Sequence, residues 1–436
     1  EWLSEVIFFL GYSWFGYASL ILLFTVITVL AFWVVTRRLN SHPFILGVGV
    51  LLGVWSIMPT LGVTPRAFTL LFAAIYLVLL DNFVRERKQS AIWLAIPLMI
   101  VWVNLHGGFL IGLVLIAATI VGLALDKWIE KKSLREVWPR LRNLSLVLVG
   151  SAVAALLNPL GWRIYLYPFE IFFSPVLQQT INDWVSPDFH QPELLPLAAL
   201  ILLTIAVLAL SPKRPRPSEV VLFVLTLYTT LKSNRHMAIF ALVAVPLLIR
   251  YSNYLLDSLR TSAALSPATT THGSWKASVL ITVAFSLPLL LFAPKLVSEV
   301  YGPPKQNVVK VPIKAVQYMN ENGMTGATFT ERNIWGGYLI WAAPANPVYV
   351  DGRLDMYGDK FTKHFLSIVS GTTPWQEPFA RYQVKNVIVV PKSYLARSLG
   401  ESGEWELRYE DEMSAVFSRR SQTAVGQASV GEMVKP

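Results

Sequence analysis

The chain has 436 residues, 54% of them hydrophobic and only 15% charged, with a formal net charge of +10 and no cysteine. Mean hydropathy is positive, and a soluble domain could not cover so much apolar surface with so few charges, so a polytopic helical membrane protein is the class that fits. Disulfide and thiolate chemistry are excluded.

The first residues, Glu1-Trp2-Leu3, bring no Met, no basic segment and no signal-peptide pattern, so the chain reads as the interior of a longer protein with a span missing upstream. Ten apolar stretches are predicted as spans: 12–35, 43–59, 66–82, 90–105, 108–126, 143–158, 195–211, 219–232, 235–251 and 277–293. Several reach the roughly 17–25 residues that carry a helix across a bilayer.

Lys and Arg in the connections set the orientation. One alternating set of loops holds seventeen, from Arg37 and Arg38 through Arg85, Lys127, Arg140, Arg216 and Arg250 to Lys276; the other holds only Arg66, Arg163, Lys232 and Arg235. By the positive-inside rule the first set is cytoplasmic. The +10 charge is then explained by topology and contact with the bilayer, and no nucleic-acid partner is implied. Residues 1–12, the outer loop 158–194 and everything after residue 293 fall on the extracytoplasmic side.

Residues 1–293 are thus read as the transmembrane domain and 294–420 as an extracytoplasmic α/β domain. Segment 163–173 in the outer loop is aromatic and predicted to lie in the interface as an amphipathic helix. In the second domain "KVPIKAVQYMNENG" has helical spacing between Pro312 and Gly323. "ATFT", "PVYV", "NVIVV" and "MSAVFS" are strand-like runs separated by helix-like stretches, which favours crossover units. Residues 421–436 lack periodicity and are expected to be disordered.

Polar residues at the outer boundaries are the candidates for chemistry. "VWVNLHGGFLIG" puts Asn104 and His106 two positions apart, about 200° around a continuous helix, so they converge only if Gly107-Gly108 breaks it. "GVTPRAF" puts Arg66 in a first helical turn, and "KSNRHMAIF" does so for Arg235 and His236. A cation opposes the helix dipole there unless an anion sits between them. Arg66, Asn104, His106, Arg235 and His236 therefore form a candidate phosphate or pyrophosphate site. The alternative is that the arginines reach ordinary lipid headgroups while Asn104 and His106 cap helices. Glu1, Glu5, Asp183 and Asp188 are the acidic candidates for a general base, and Asp188 with His190 for metal ligands. The same residues also suit plain capping and solvation of interfacial segments. No P-loop, dinucleotide fingerprint, zinc-protease helix or serine elbow is present.

Taken together, "EWLSEVIFF", "VWVNLHGGFLIG", "NPLGWRIYLYPFE", "RHMAIFALVAVPLL" and "NIWGGYLIWAAPANPVYVDGRLDMYG" resemble a group of bacterial multi-pass membrane proteins. That group is similar in architecture to the GT-C glycosyltransferase superfamily. The resemblance implies a bacterial plasma-membrane enzyme that takes a sugar from a polyprenyl-phosphate or -pyrophosphate carrier. The acceptor, a protein or glycan, would lie on the outer face, and a divalent cation, Mg or Mn, would assist. It also implies a catalytic acid in the first outer loop, which would lie mostly upstream of Glu1.

"IWGGYLIW" loosely resembles the Trp-Trp-Asp-Tyr-Gly acceptor motif of oligosaccharyltransferase catalytic subunits, keeping Trp335 and Tyr338 but lacking the Asp. With Asp351, Arg353 and Asp355 of "YVDGRLDMYGD" these residues are the acceptor-side candidates. An internal Asp–Arg turn is the alternative for the latter group. The competing function is a non-catalytic membrane scaffold whose C-terminal domain binds a partner protein or envelope polymer.

Overall fold

The computed structural model describes residues 1–130, 134–166, 174–180, 182–262 and 310–420. They divide into two units, the first within 1–173 and 178–300, the second within 174–177 and 301–436.

The first unit is a bundle of helices: α1 (Trp2–Thr36), α2 (Pro43–Ile57), α3 (Arg66–Val84), α4 (Ala95–Leu105), α5 (Leu110–Ile129), α6 (Leu134–Ala154), α7 (Leu195–Leu210), α8 (Pro217–Lys232) and α9 (Met237–Ser262). Among the described residues, six helical stretches are long and apolar enough to cross a membrane: Trp2–Thr36, Pro43–Thr60, Arg66–Val84, Gly107–Ile129, Pro192–Leu210 and Asn234–Thr261. Large apolar side chains such as Trp55, Val149, Leu202 and Leu210 stay exposed on the bundle, as a lipid-facing surface requires and a soluble one does not tolerate.

Three other predicted spans are helical but fall short of that standard. α4 is short even with its 3₁₀ lead-in, Gln89–Leu105. α6 begins in the basic segment at Leu134, so only its later part is apolar. α8 has 16 residues. Helix α1 starts ten residues before the predicted span and is broken at Gly16, whose φ of 68° lies in the left-handed region. The predicted span 277–293, the tail 421–436 and most of the proposed interfacial helix 163–173 lie outside the described residues. The start of that last segment belongs to a 3₁₀ turn, Gly161–Tyr165.

Packing is close where side chains are small. A Cβ on Gly53 would lie 2.4 Å from Val245 Cγ2, and one on Gly122 2.4 Å from Ser218 Cα. The α5/α8 pair therefore approaches backbone to backbone, while Gly53 of α2 makes room for the Val245 side chain of α9, small residues being the usual means of close helix association in lipid. Between α3 and α4, Trp102 stacks on Phe72 at 5.6 Å and meets Tyr76 edge-on at 5.1 Å. Tyr76 and Trp102 are fully buried. That aromatic core fixes the register that places Thr69 beside the α4–α5 junction.

The second unit has a four-stranded sheet in the order β1-β2-β4-β3. β1 (Thr328–Thr330) runs parallel to β2 (Asn386–Val389), and β4 (Ala415–Arg419) pairs antiparallel with both β2 and β3 (Trp405–Glu410). The β1–β2 crossover contains the helices Asn333–Ala342, Leu354–Ser370 and Gln376–Arg381. Pro312 caps the helix Ile313–Glu321, as its spacing predicts. "PVYV" is not a strand but a single bridge from Val348 to Thr328. Its stretch is too short to add more than one rung before the Asp351 turn. β3, with one buried residue in six, carries no alternating signal and was not expected.

Candidate functional site

Helix α4 ends at Leu105, and His106 takes an extended conformation (φ −156°, ψ 142°) before a 3₁₀ turn, Gly107–Phe109, opens α5. The helix does break at the Gly pair. A Cβ on Gly108 would lie 2.5 Å from Thr69 Oγ1 and 2.8 Å from His106 Nδ1, so only glycine permits this approach.

The break turns the His106 ring inward, where it is 4% exposed. Gly108 N–H donates to His106 Nδ1 at 3.0 Å, and Thr69 Oγ1 lies 2.7 Å from the same nitrogen. Thr69 Oγ1 in turn accepts from Trp102 Nε1 at 2.9 Å. An accepting Nδ1 assigns the proton of the neutral ring to Nε2. That nitrogen faces Glu1 Oε1 at 3.6 Å, and the same oxygen accepts from Gly107 N–H at 3.3 Å. His106 sits in the connection between two helices, and burial first, then the charges of Arg235 and Arg66, hold its pKa well below the ordinary range.

Asn104 is committed elsewhere. Its Oδ1 accepts from Trp2 Nε1 at 2.8 Å and Asn158 Nδ2 at 3.3 Å, while its Nδ2 donates to the Ile100 and Leu157 carbonyls. Asn104 thus ties α1, α4 and the end of α6 together beside His106.

Arg66 begins α3 and Arg235 lies in the 3₁₀ turn Asn234–His236 that precedes α9. Loop 182–186 joins them. Arg66 Nη1 is 2.8 Å from Asp183 Oδ2, yet that buried nitrogen has no aligned acceptor for its N–H groups. The contact is ionic more than a directed hydrogen bond. The Arg235 guanidinium lies 5.0 Å over the Trp184 ring, and His236 meets the same ring at 6.4 Å. Ser233 Oγ donates to the Asp183 carbonyl and Asn234 N–H to the Val185 carbonyl. Arg66, His106, Arg235, His236, Asp183 and Glu1 thus share one end of the bundle, with Asn104 adjoining.

Glu5 lies one helical turn beyond Glu1, its N–H donating to the Glu1 carbonyl at 3.2 Å. Glu5 is exposed on α1. Asp188 Oδ1 accepts from the backbone N–H of His190 and lies 2.9 Å from its ring Nδ1; the His190 side chain is otherwise fully exposed. This is a two-residue turn, and among the described residues no group of three His, Asp or Glu is arranged to hold a metal ion. Asp188 and His190 alone supply too few donors for a divalent cation.

In the second unit Trp335 is fully buried, its Nε1 donating to the Lys310 carbonyl at 3.0 Å. Tyr338 is partly exposed and packs 5.8 Å from Trp341. Asp351 is buried and accepts from Arg353 Nη2 at 2.6 Å and from its backbone N–H at 2.8 Å. Burial pushes the Asp351 carboxyl up, but the Arg353 hydrogen bonds and charge outweigh it and hold it below the usual range. The internal Asp–Arg turn is what the geometry contains. The side chain of Asp355 lies outside the described residues.

Sequence reasoning passed over several participants. Thr69, Trp102 and Asn158 were hidden in spans, although a buried polar residue in an apolar helix is itself a signal. At the other end of the bundle, Glu219 accepts from Arg85 Nη2 at 2.6 Å, Tyr251 Oη at 2.6 Å, and Arg250 Nη1. Arg85 and Arg250 had served only to set the topology. Compared with models of known families and with characterised proteins, the chain matches none.

Proposed function

We propose that this chain is a membrane glycosyltransferase similar to the GT-C type, working on a polyprenyl-phosphate-linked sugar at the outer face of a bacterial plasma membrane. In this reading there are ten spans, and the C-terminal unit lies outside the cytoplasm with the acceptor, a protein or glycan. The observation that carries it is that loop 182–186 ties Arg66 and Arg235 together at the Arg-poor end of the bundle, where His106 is buried and within reach of both charges. Two guanidinium groups and an Nε2–H donor suit a phosphate ester better than any uncharged ligand.

In the transfer step an acceptor oxygen attacks the anomeric carbon as the carbon–oxygen bond to the carrier phosphate breaks. The acceptor proton passes to a carboxylate, and the polyprenyl phosphate leaves with the bonding electron pair. Glu1, held by the Gly107 N–H and His106, is the nearest acidic candidate. For the phosphate to reach Arg66, Asp183 must share or yield that guanidinium. The test is sugar turnover from a polyprenyl-phosphate donor by the reconstituted chain, wild type against Arg66→Ala with Arg235→Ala. Loss of turnover in the variant supports the reading, and equal rates discard the site.

The second reading, a non-catalytic scaffold that binds a partner or envelope polymer, draws on the Arg66–Asp183 pair itself. An end already neutralised internally needs no ligand. Absence of turnover in wild type together with unchanged carrier binding in the double variant favours it.

A further inference from the structure

At the end of the bundle opposite Trp2 and Arg66, a cavity of about 350 Å³ lies between α1, α3, α8 and α9. Its walls are aliphatic, with Val35, Leu77, Leu80, Leu222 and Leu247 among them. Five arginines also line it, Arg38, Arg85, Arg87, Arg216 and Arg250, against three carboxylates, Asp81, Glu219 and Asp257. The lining thus carries an excess of two positive charges.

The charges are unevenly satisfied. Arg85 Nε donates to Asp81 Oδ1 at 2.6 Å, and Arg85 and Arg250 both bind Glu219 Oε1. Arg38 donates to the neutral amide oxygen of Asn82. Among the described residues no carboxylate lies within 4.0 Å of the Arg38, Arg87 or Arg216 guanidinium, and all three residues are exposed. Arg85 and Arg250 belong to an ion-pair network, and the other three arginines line the same cavity outside it.

Aliphatic walls ending in exposed arginines with no carboxylate in contact complement one kind of molecule, an anionic head on an apolar chain. We infer that this cavity binds an anionic phospholipid, with its phosphate at Arg38, Arg87 and Arg216 and the start of an acyl chain along Leu77 and Leu247. Ligand pockets run to roughly 300–1,000 Å³, so this one takes the head and first methylenes and leaves the rest of the chain to the bilayer. Guanidinium groups bind phosphate oxygens bidentately. A zwitterionic lipid carries the same phosphate, but its cation meets the excess positive charge. This site is independent of the one proposed at the His106 end.

The experiment uses the purified full chain in neutral detergent, titrated with phosphatidylglycerol, phosphatidylcholine or inorganic phosphate and read by native mass spectrometry and thermal unfolding. Phosphatidylglycerol is expected to remain as a one-to-one adduct and raise Tm by a few degrees. Phosphatidylcholine and inorganic phosphate should do neither. Arg38→Gln with Arg216→Gln should weaken the adduct at least about tenfold. Arg37→Gln changes an exposed arginine of the same end that stacks 4.7 Å over Trp33 and does not line the cavity, and should leave the adduct unchanged. Equal retention of the two lipids overturns the inference, as does an equal loss in Arg37→Gln. Stabilisation by inorganic phosphate to the same degree assigns the site to a soluble anion and also overturns it.

Discussion

Arg66 Nη1 and Asp183 Oδ2 stand 2.8 Å apart, joining the first turn of α3 to the loop that covers the start of α9. Both side chains keep about a third of their surface exposed (30% and 37%), so solvent screens the pair and its contribution to stability is under about 1 kcal/mol. Asp183→Asn should therefore leave Tm nearly unchanged. It should also free the guanidinium and tighten polyprenyl-phosphate binding several-fold. A Tm drop of many degrees, or weaker binding, would show Asp183 to be a structural partner instead.

Two adjacent glycines in the second unit should respond with opposite signs. A Cβ on Gly336 would come 2.0 Å from the Val350 carbonyl oxygen, whereas one on Gly337 meets nothing within 4 Å. Gly336→Ala forces backbone apart and should cost about 1–3 kcal/mol. Gly337→Ala, on an exposed helical position, should stabilise by about 0.5–1 kcal/mol. Chemical denaturation of the two variants beside wild type measures both. Similar shifts would mean the helix Asn333–Ala342 is packed differently.

The Asp351–Arg353 turn gives a pH dependence of defined sign. The folded-state pKa of Asp351 is depressed relative to an unfolded value of about 3.9. Its contribution is present above that value and is lost as pH falls through the folded pKa. Asp351→Asn should lower Tm at pH 6 and narrow the gap to wild type as pH falls below about 4. A constant gap from pH 6 to pH 3 would remove the ion pair from the account.

Glu219 holds two arginines at the other end of the bundle, with only 12% of its side chain exposed and 17% of each partner's. Removing its charge leaves Arg85 and Arg250 short of an acceptor in a largely buried place. Glu219→Gln should cost on the order of 3 kcal/mol, while Tyr251→Phe, which removes one hydrogen bond, should cost about 1 kcal/mol. Thermal unfolding in detergent separates them, and a loss below that of Tyr251→Phe would contradict the network.

Apolar length and charge alternation made the membrane class legible, because both act along the chain. Helix ends were less legible: α6 runs back into its basic segment, and α1 continues to Trp2 past the predicted boundary. The break at Gly107-Gly108 was readable from two polar residues that could not share one helix face. What it builds was not, since Thr69, Trp102 and Glu1 reach His106 from other elements. Trp335 shows the opposite failure. Its motif made it an acceptor-side candidate, yet the side chain is fully buried, with its N–H bonded to the Lys310 carbonyl. The arginines around Glu219 were counted for their charge, and only tertiary packing gathers them around a cavity.

The central claim is that Arg66, Arg235 and His106 hold a lipid-linked phosphate, and equilibrium binding tests it most directly. Radiolabelled polyprenyl phosphate would be titrated against the full chain in nanodiscs, with Arg66→Ala/Arg235→Ala and, as a control from the same Arg-poor loops, Arg163→Ala. The account predicts saturable binding to wild type and to Arg163→Ala, and affinity at least about tenfold lower in the double variant. Equal affinity in all three proteins would contradict it.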